Sequence, residues 1–205
     1  MSRWQEALAL LEEAQEGFAA CGAAKWLERS WACEGAAYFG LDRYDESRRL
    51  HSAGLDSAKA SRDGELIAIY LGNIGQAFFA MGDLPAARRH LNEACDFFAS
   101  RGCIRGRAGF LTTIGLIDLS ERGADGVQAI EEASAVFEGM GMDAAWVDAR
   151  VDLAEALVSV DLSIDVSDIC REAYERAVAL GIDRLAERAL ALLEPAVMRE
   201  SQDPM

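Results

Sequence analysis

Small and bulky apolar residues recur along this chain in a fixed phase of about 40 positions. Glycines that read as helix stops stand at Gly22, Gly102, Gly141 and Gly181, with gaps of 80, 39 and 40 residues. Arg62 fills the slot halfway through the first gap. Eight residues before each slot come Ala14, Gly54, Ala94, Ala133 and Ala173, all small; four before come Phe18, Ala58, Phe98, Phe137 and Ala177. A constant period of this length marks a stacked-repeat architecture. Within one period, Leu84, Ala87, Leu91, Ala94 and Phe98 form a one-sided helical stripe. Asp83 and Pro85 supply an N-cap and a first-turn proline for that helix. A glycine just past its end suits a left-handed C-cap. Asp63, Asp143 and Asp183 read as N-caps of further helices.

The pattern predicts a helix over 2–20, helix pairs over 24–61, 64–101, 105–140 and 143–180, and a last helix over 183–194. Pro195 ends or kinks that helix, and 199–205 reads as a flexible tail behind a single repeat domain spanning 1–198. With three prolines in the chain and abundant Ala, Leu, Glu and Arg, the composition favours helix throughout.

Leu71, Ile74, Gly75 and Phe78, followed by Ala87, Leu91 and Ala94, resemble the tetratricopeptide (TPR) pattern. Trp31, Gly35 and Tyr38 repeat its offsets in the preceding unit; Leu111, Ile114, Gly115, Ile130 and Ala133 do so in the third, and Leu153, Ala154, Leu157 and Ala173 in the fourth. Glu34, Asp118 and Arg150 depart from it, and the period exceeds the usual 34 residues. The chain looks like the longer-helix arrays of bacterial regulators and signalling proteins. The resemblance implies an all-α fold, a right-handed superhelical solenoid of about ten helices in antiparallel pairs. In such a fold Gly35, Gly75, Gly115 and Ala154 face a neighbouring helix where two backbones approach closely, and stability comes from nearest-neighbour interfaces.

A net charge of −15 makes the surface repel phosphate backbones and anionic headgroups, so neither nucleic acid nor membrane is expected as a partner. The uncharged run Leu66–Gly82 is at the lower edge of membrane-spanning length, but Asn73, Gln76 and three glycines within it fit a central, covered helix better. The five cysteines show no CxxC and no zinc spacing, which points to reduced, packed thiols and a cytoplasmic protein.

No catalytic, metal or cofactor site is expected. His51 and His90 fall on second helices, where the 40-residue register pairs them with Leu91 and Leu50. No nucleotide-binding, nucleophile-elbow or zinc-protease motif is present. The many carboxylate pairs read as solvated faces, with Asp152 and Glu155 the exception, because the register turns them inward. Trp4, Trp26, Trp31 and Trp146 read as packing rather than a ligand cage.

The resemblance implies that first helices line a concave surface that holds peptides, often through an asparagine two residues before the small glycine. Asn73 occupies that place, with Cys33, Thr113 and Asp152 as counterparts. Arg29, Phe39, Ile69, Gln76, Phe79, Thr112, Leu116 and Glu155 are the neighbouring groove candidates. The expected function is a protein- or peptide-binding scaffold; the alternative is a ligand-sensing regulatory domain of a larger regulator. Leu8, Leu11, Ala14 and Phe18 on the first helix have no preceding helix to cover them, and Leu185, Leu192 and Leu193 on the last no following one, so both are expected to support a homodimer.

Overall fold

The structure is a computed structural model and describes residues 3–123, 125–161 and 164–200, the side chains of 125 and 194–200 excepted. Among the described residues it is all α, in ten helices: α1 (Arg3–Ala20), α2 (Ala24–Gly40), α3 (Tyr44–Ser61), α4 (Gly64–Ala80), α5 (Leu84–Ser100), α6 (Ile104–Arg122), α7 (Asp125–Gly139), α8 (Asp143–Val160), α9 (Ser167–Leu180) and α10 (Asp183–Glu200). Short connections make consecutive helices antiparallel neighbours.

The stop positions have a common backbone cause. Gly22, Gly102, Gly141 and Gly181 all adopt φ between 64° and 70°, and Arg62 takes φ 57° in the same slot. Each lets the chain reverse in the left-handed conformation and closes the preceding helix. Asp63 caps α4 by accepting from the Leu66 amide at 3.1 Å, and Asp83 caps α5 through the Ala86 amide at 3.1 Å. Three points differ from the sequence reading. Asp143 and Asp183 are the first residues inside α8 and α10, with Met142 at the cap of α8, so their carboxylates serve the helix dipole instead. The backbone of α10 runs helically past Pro195 to Glu200 instead of stopping at 194.

The contacts divide the chain into two compact units, residues 1–110 and 111–205, with the division inside α6. In the first, α1 packs on α2, α2 on α3, α3 on α4 and α4 on α5, and α2 also touches α4 directly. In the second, α7 packs on α8, α8 on α9 and α9 on α10, and α8 touches α10.

The small residues of the repeat are hollows filled by the following helix. The His51 ring occupies the space beside Gly35. An added methyl on Gly75 would lie 2.7 Å from Leu91 Cγ and 3.1 Å from the Ala87 carbonyl oxygen. On Gly115 it would lie 2.6 Å from Ile130 Cγ1 and 2.8 Å from the Gly126 carbonyl oxygen. Ala154 packs against Val166 and Cys170, with Leu192 and Leu193 closing over that cluster. Backbones this close exclude larger side chains, which fixes the spacing of each pair.

Candidate functional site

In the first unit the alternate helices α2 and α4 lie in direct contact, and Arg29 of α2 reaches Glu65 of α4 at 3.2 Å along that junction. Along α4, Leu66, Tyr70, Leu71, Ile74 and Ala77 are buried. Ile69, Asn73, Gln76 and Phe79 are half-buried and recur at helical spacing, so they form one partly open strip. The Asn73 amide makes no hydrogen bond to another described residue, and neither of its polar atoms is a buried orphan. Phe39 stands apart at the end of α2, its ring 5.1 Å from that of Tyr44.

The second unit treats its candidates differently. Thr112 and Thr113 are buried, and the Thr112 hydroxyl has no hydrogen-bond partner among the described residues. Leu116 is half-buried. Asp152 and Glu155 of α8 are drawn together by Arg188 of α10, which donates to Asp152 at 2.7 Å and to both Glu155 oxygens at 2.7 and 2.8 Å. Asp148 stands 3.4 Å from the same guanidinium. Three carboxylates thus share one cation. Lost hydration, reinforced by the Asp148 charge, raises the Asp152 carboxyl to about 6 despite the arginine. The bonds to Glu155 and Asp152 push Arg188 further up, so it stays charged.

Arg188 is the residue that sequence reading missed. Its separation from Asp152 equals that of Arg29 from Glu65, 36 residues, which is the step between alternate helices on one face. That shared spacing was a usable signal.

The tryptophans fall into different surroundings. Trp146 is buried, with Arg176 3.8 Å above its ring and Arg150 at 5.6 Å. The Trp4 ring lies against Gly40, Trp26 stacks on Phe18 with centroids 6.5 Å apart, and Trp31 lines a cleft between α2 and α3. All five cysteines are free thiols, and burial pushes that of Cys170 up to about 11, which keeps it protonated and unreactive. Among the described residues no His, Cys, Asp and Glu cluster could hold a metal ion, and no helix is long and apolar enough to cross a membrane.

Residues 26–100, covering α2 through α5, match the model of the tetratricopeptide repeat family. That match supports a TPR assignment for this stretch, and TPR repeats generally serve as protein-interaction scaffolds rather than enzymes. Among solved structures the chain is similar to the crystal structure of BtubC (BKLC) from P. vanneervenii. The identity is 12%, the TM-score is 0.58, and the alignment covers 100% of this chain and 95% of that one. At that identity the likeness speaks for the all-α repeat fold alone. No curated protein matches the sequence.

Proposed function

We propose that the chain is a scaffold module that binds an extended polypeptide segment along the first-helix face, with the α4 strip as its anchor. The observation that carries this reading is Asn73. A side-chain amide in the longest uncharged stretch of the chain is costly unless paired or wet, and here it is half-buried without a hydrogen bond to another described residue. One amide offers a donor and an acceptor, the complement of one peptide unit. Ile69 and Phe79 offer apolar contact on either side, and Gln76 a second amide. Arg29 and Glu65 fix the neighbouring α2–α4 junction.

The test begins with capture of partners and their identification by mass spectrometry, followed by calorimetry on Asn73→Ala. Losing one such hydrogen bond costs about 0.5–1.5 kcal/mol, so affinity should fall by about tenfold or less with the melting temperature unchanged. A destabilised variant with unaltered partner affinity removes Asn73 from the binding face.

A further inference from the structure

Between α2 and α3 a cleft of about 490 Å3 opens, with Lys25, Leu27, Glu28, Trp31, Ser57 and Asp63 among the residues that line it. The repeat register explains why it is open. The position 40 residues after Ser57 is Phe97, whose ring lies against Gly64, the equivalent of Ala24; a methyl on Gly64 would meet that ring at 3.0 Å. In the α8–α9 hairpin the same position is Arg176, which covers Trp146. Ser57 has neither ring nor stem, and the volume stays unfilled.

The register also makes Glu28 anomalous. Its equivalents Ala68, Ala108 and Val147 are core residues, each exposed by 1% or less. Glu28 is only 8% exposed, yet it carries a carboxylate into the same layer. Ser61 is its sole side-chain donor among the described residues, at 3.3 Å from each oxygen, and no described basic residue pairs with it. The exposed Lys25 instead meets Asp63 at 3.7 Å. A carboxylate withdrawn from water without a cation is unfavourable, and a well-placed cation that donates to it offsets part of that loss.

We propose that this cleft binds an organic cation, an ammonium or guanidinium head on a short apolar stem. The head donates to Glu28, and the stem lies along Trp31 and Leu27, where the aromatic face also favours positive charge. The site shares no residue with the α4 strip and stands independently of the peptide-binding reading. A free small amine and the arginine or lysine side chain of a partner present the same chemistry.

The test is a titration of the full chain with n-butylguanidinium, n-butanol and the blocked peptide acetyl-Gly-Arg-Gly-amide, followed by amide chemical shifts. The cation should shift residues of the α2 start and α3 end saturably in the millimolar range, and n-butanol should not. Glu28→Gln should weaken binding by about tenfold or more. Ser57→Phe, which restores the side chain of the next hairpin, should abolish binding while the melting temperature holds or rises. Tighter binding of the peptide than of the free cation identifies a partner side chain as the source; the reverse identifies a small molecule. The proposal is overturned if wild type shows no saturable shift below about 100 mM. It is equally overturned if n-butanol binds as well, if Glu28→Gln binds unchanged, or if folded Ser57→Phe still binds.

Discussion

The imidazole of His51 fills the hollow at Gly35 so closely that a methyl group on Gly35 would overlap the ring. Leu91 and Ile130 fill the equivalent hollows at Gly75 and Gly115. Unlike them, His51 brings a polar atom: its Nδ1 is buried without a hydrogen-bond partner among the described residues, and so is the Ser47 hydroxyl one turn earlier. An unsatisfied buried group costs about 1–3 kcal/mol. His51→Leu is therefore expected to raise stability by about 1–2 kcal/mol in urea unfolding. Gly35→Ala is expected to lose about 1–3 kcal/mol, because the ring has no room to withdraw.

The same burial makes stability depend on pH. The His51 pKa is pushed down to about 4, against an ordinary value of 6.5. Between those values the unfolded chain takes up a proton that the folded imidazole refuses, so stability falls on acidification, by up to about 3 kcal/mol. Asp152 acts oppositely. With its folded pKa raised to about 6 from 3.8, the native carboxyl binds its proton first, and stability rises as pH falls through that window. His51→Leu should leave a net gain on moving from about pH 7 to about pH 5, and Asp152→Asn a steeper loss, both read from urea unfolding free energies.

Arg188 neutralises part of the α8 carboxylate group, and its loss leaves Asp152 and Glu155 facing each other half-buried. Arg188→Ala should destabilise by about 1–3 kcal/mol, less than a fully buried pair would, since all the partners keep some solvent contact. Arg188→Lys should recover only part of this, because an ammonium cannot span both carboxylates as the guanidinium fork does. Thermal unfolding measures both.

Arg62 holds a left-handed turn that the other slots give to glycine. A side chain in that conformation costs about 1–2 kcal/mol, partly offset by the smaller entropy of its unfolded chain. Arg62→Gly should thus gain up to about 1 kcal/mol, whereas Gly102→Ala should lose about 1 kcal/mol. Parallel melts of the two variants check the sign.

The helix pairs and their hollows were legible because both follow from spacing. Gly75 and Leu91 recur at fixed offsets, and close backbone approach tolerates few residue types. Depth was less legible. The register turns Thr113 and Asn73 to equivalent positions, yet Thr113 is buried and Asn73 half-open, since exposure depends on what covers each helix. Arg188 escaped notice because its role needs three carboxylates placed on α8, not a motif within α10. The α2–α3 cleft was readable in principle, as Ser57 standing where Phe97 stands one period later.

At the small position of the repeat, hollow and filler sit within one hairpin: Gly35 with His51, Gly75 with Leu91, Gly115 with Ile130; Tyr70 against Gly54 and Phe98 against Gly106 instead join one hairpin to the next. The fold is therefore keyed at two levels, within each hairpin and from one hairpin to the next. A graft that moves α4 together with α5 carries the Gly75–Leu91 fit along but must meet a glycine-like hollow for Tyr70, whereas one that pairs α2 with a foreign second helix must reinvent the fit at Gly35. Recombination at Arg62 divides the fit of Tyr70 against Gly54, and recombination at Gly102 that of Phe98 against Gly106, so a junction at either turn must keep those partners matched.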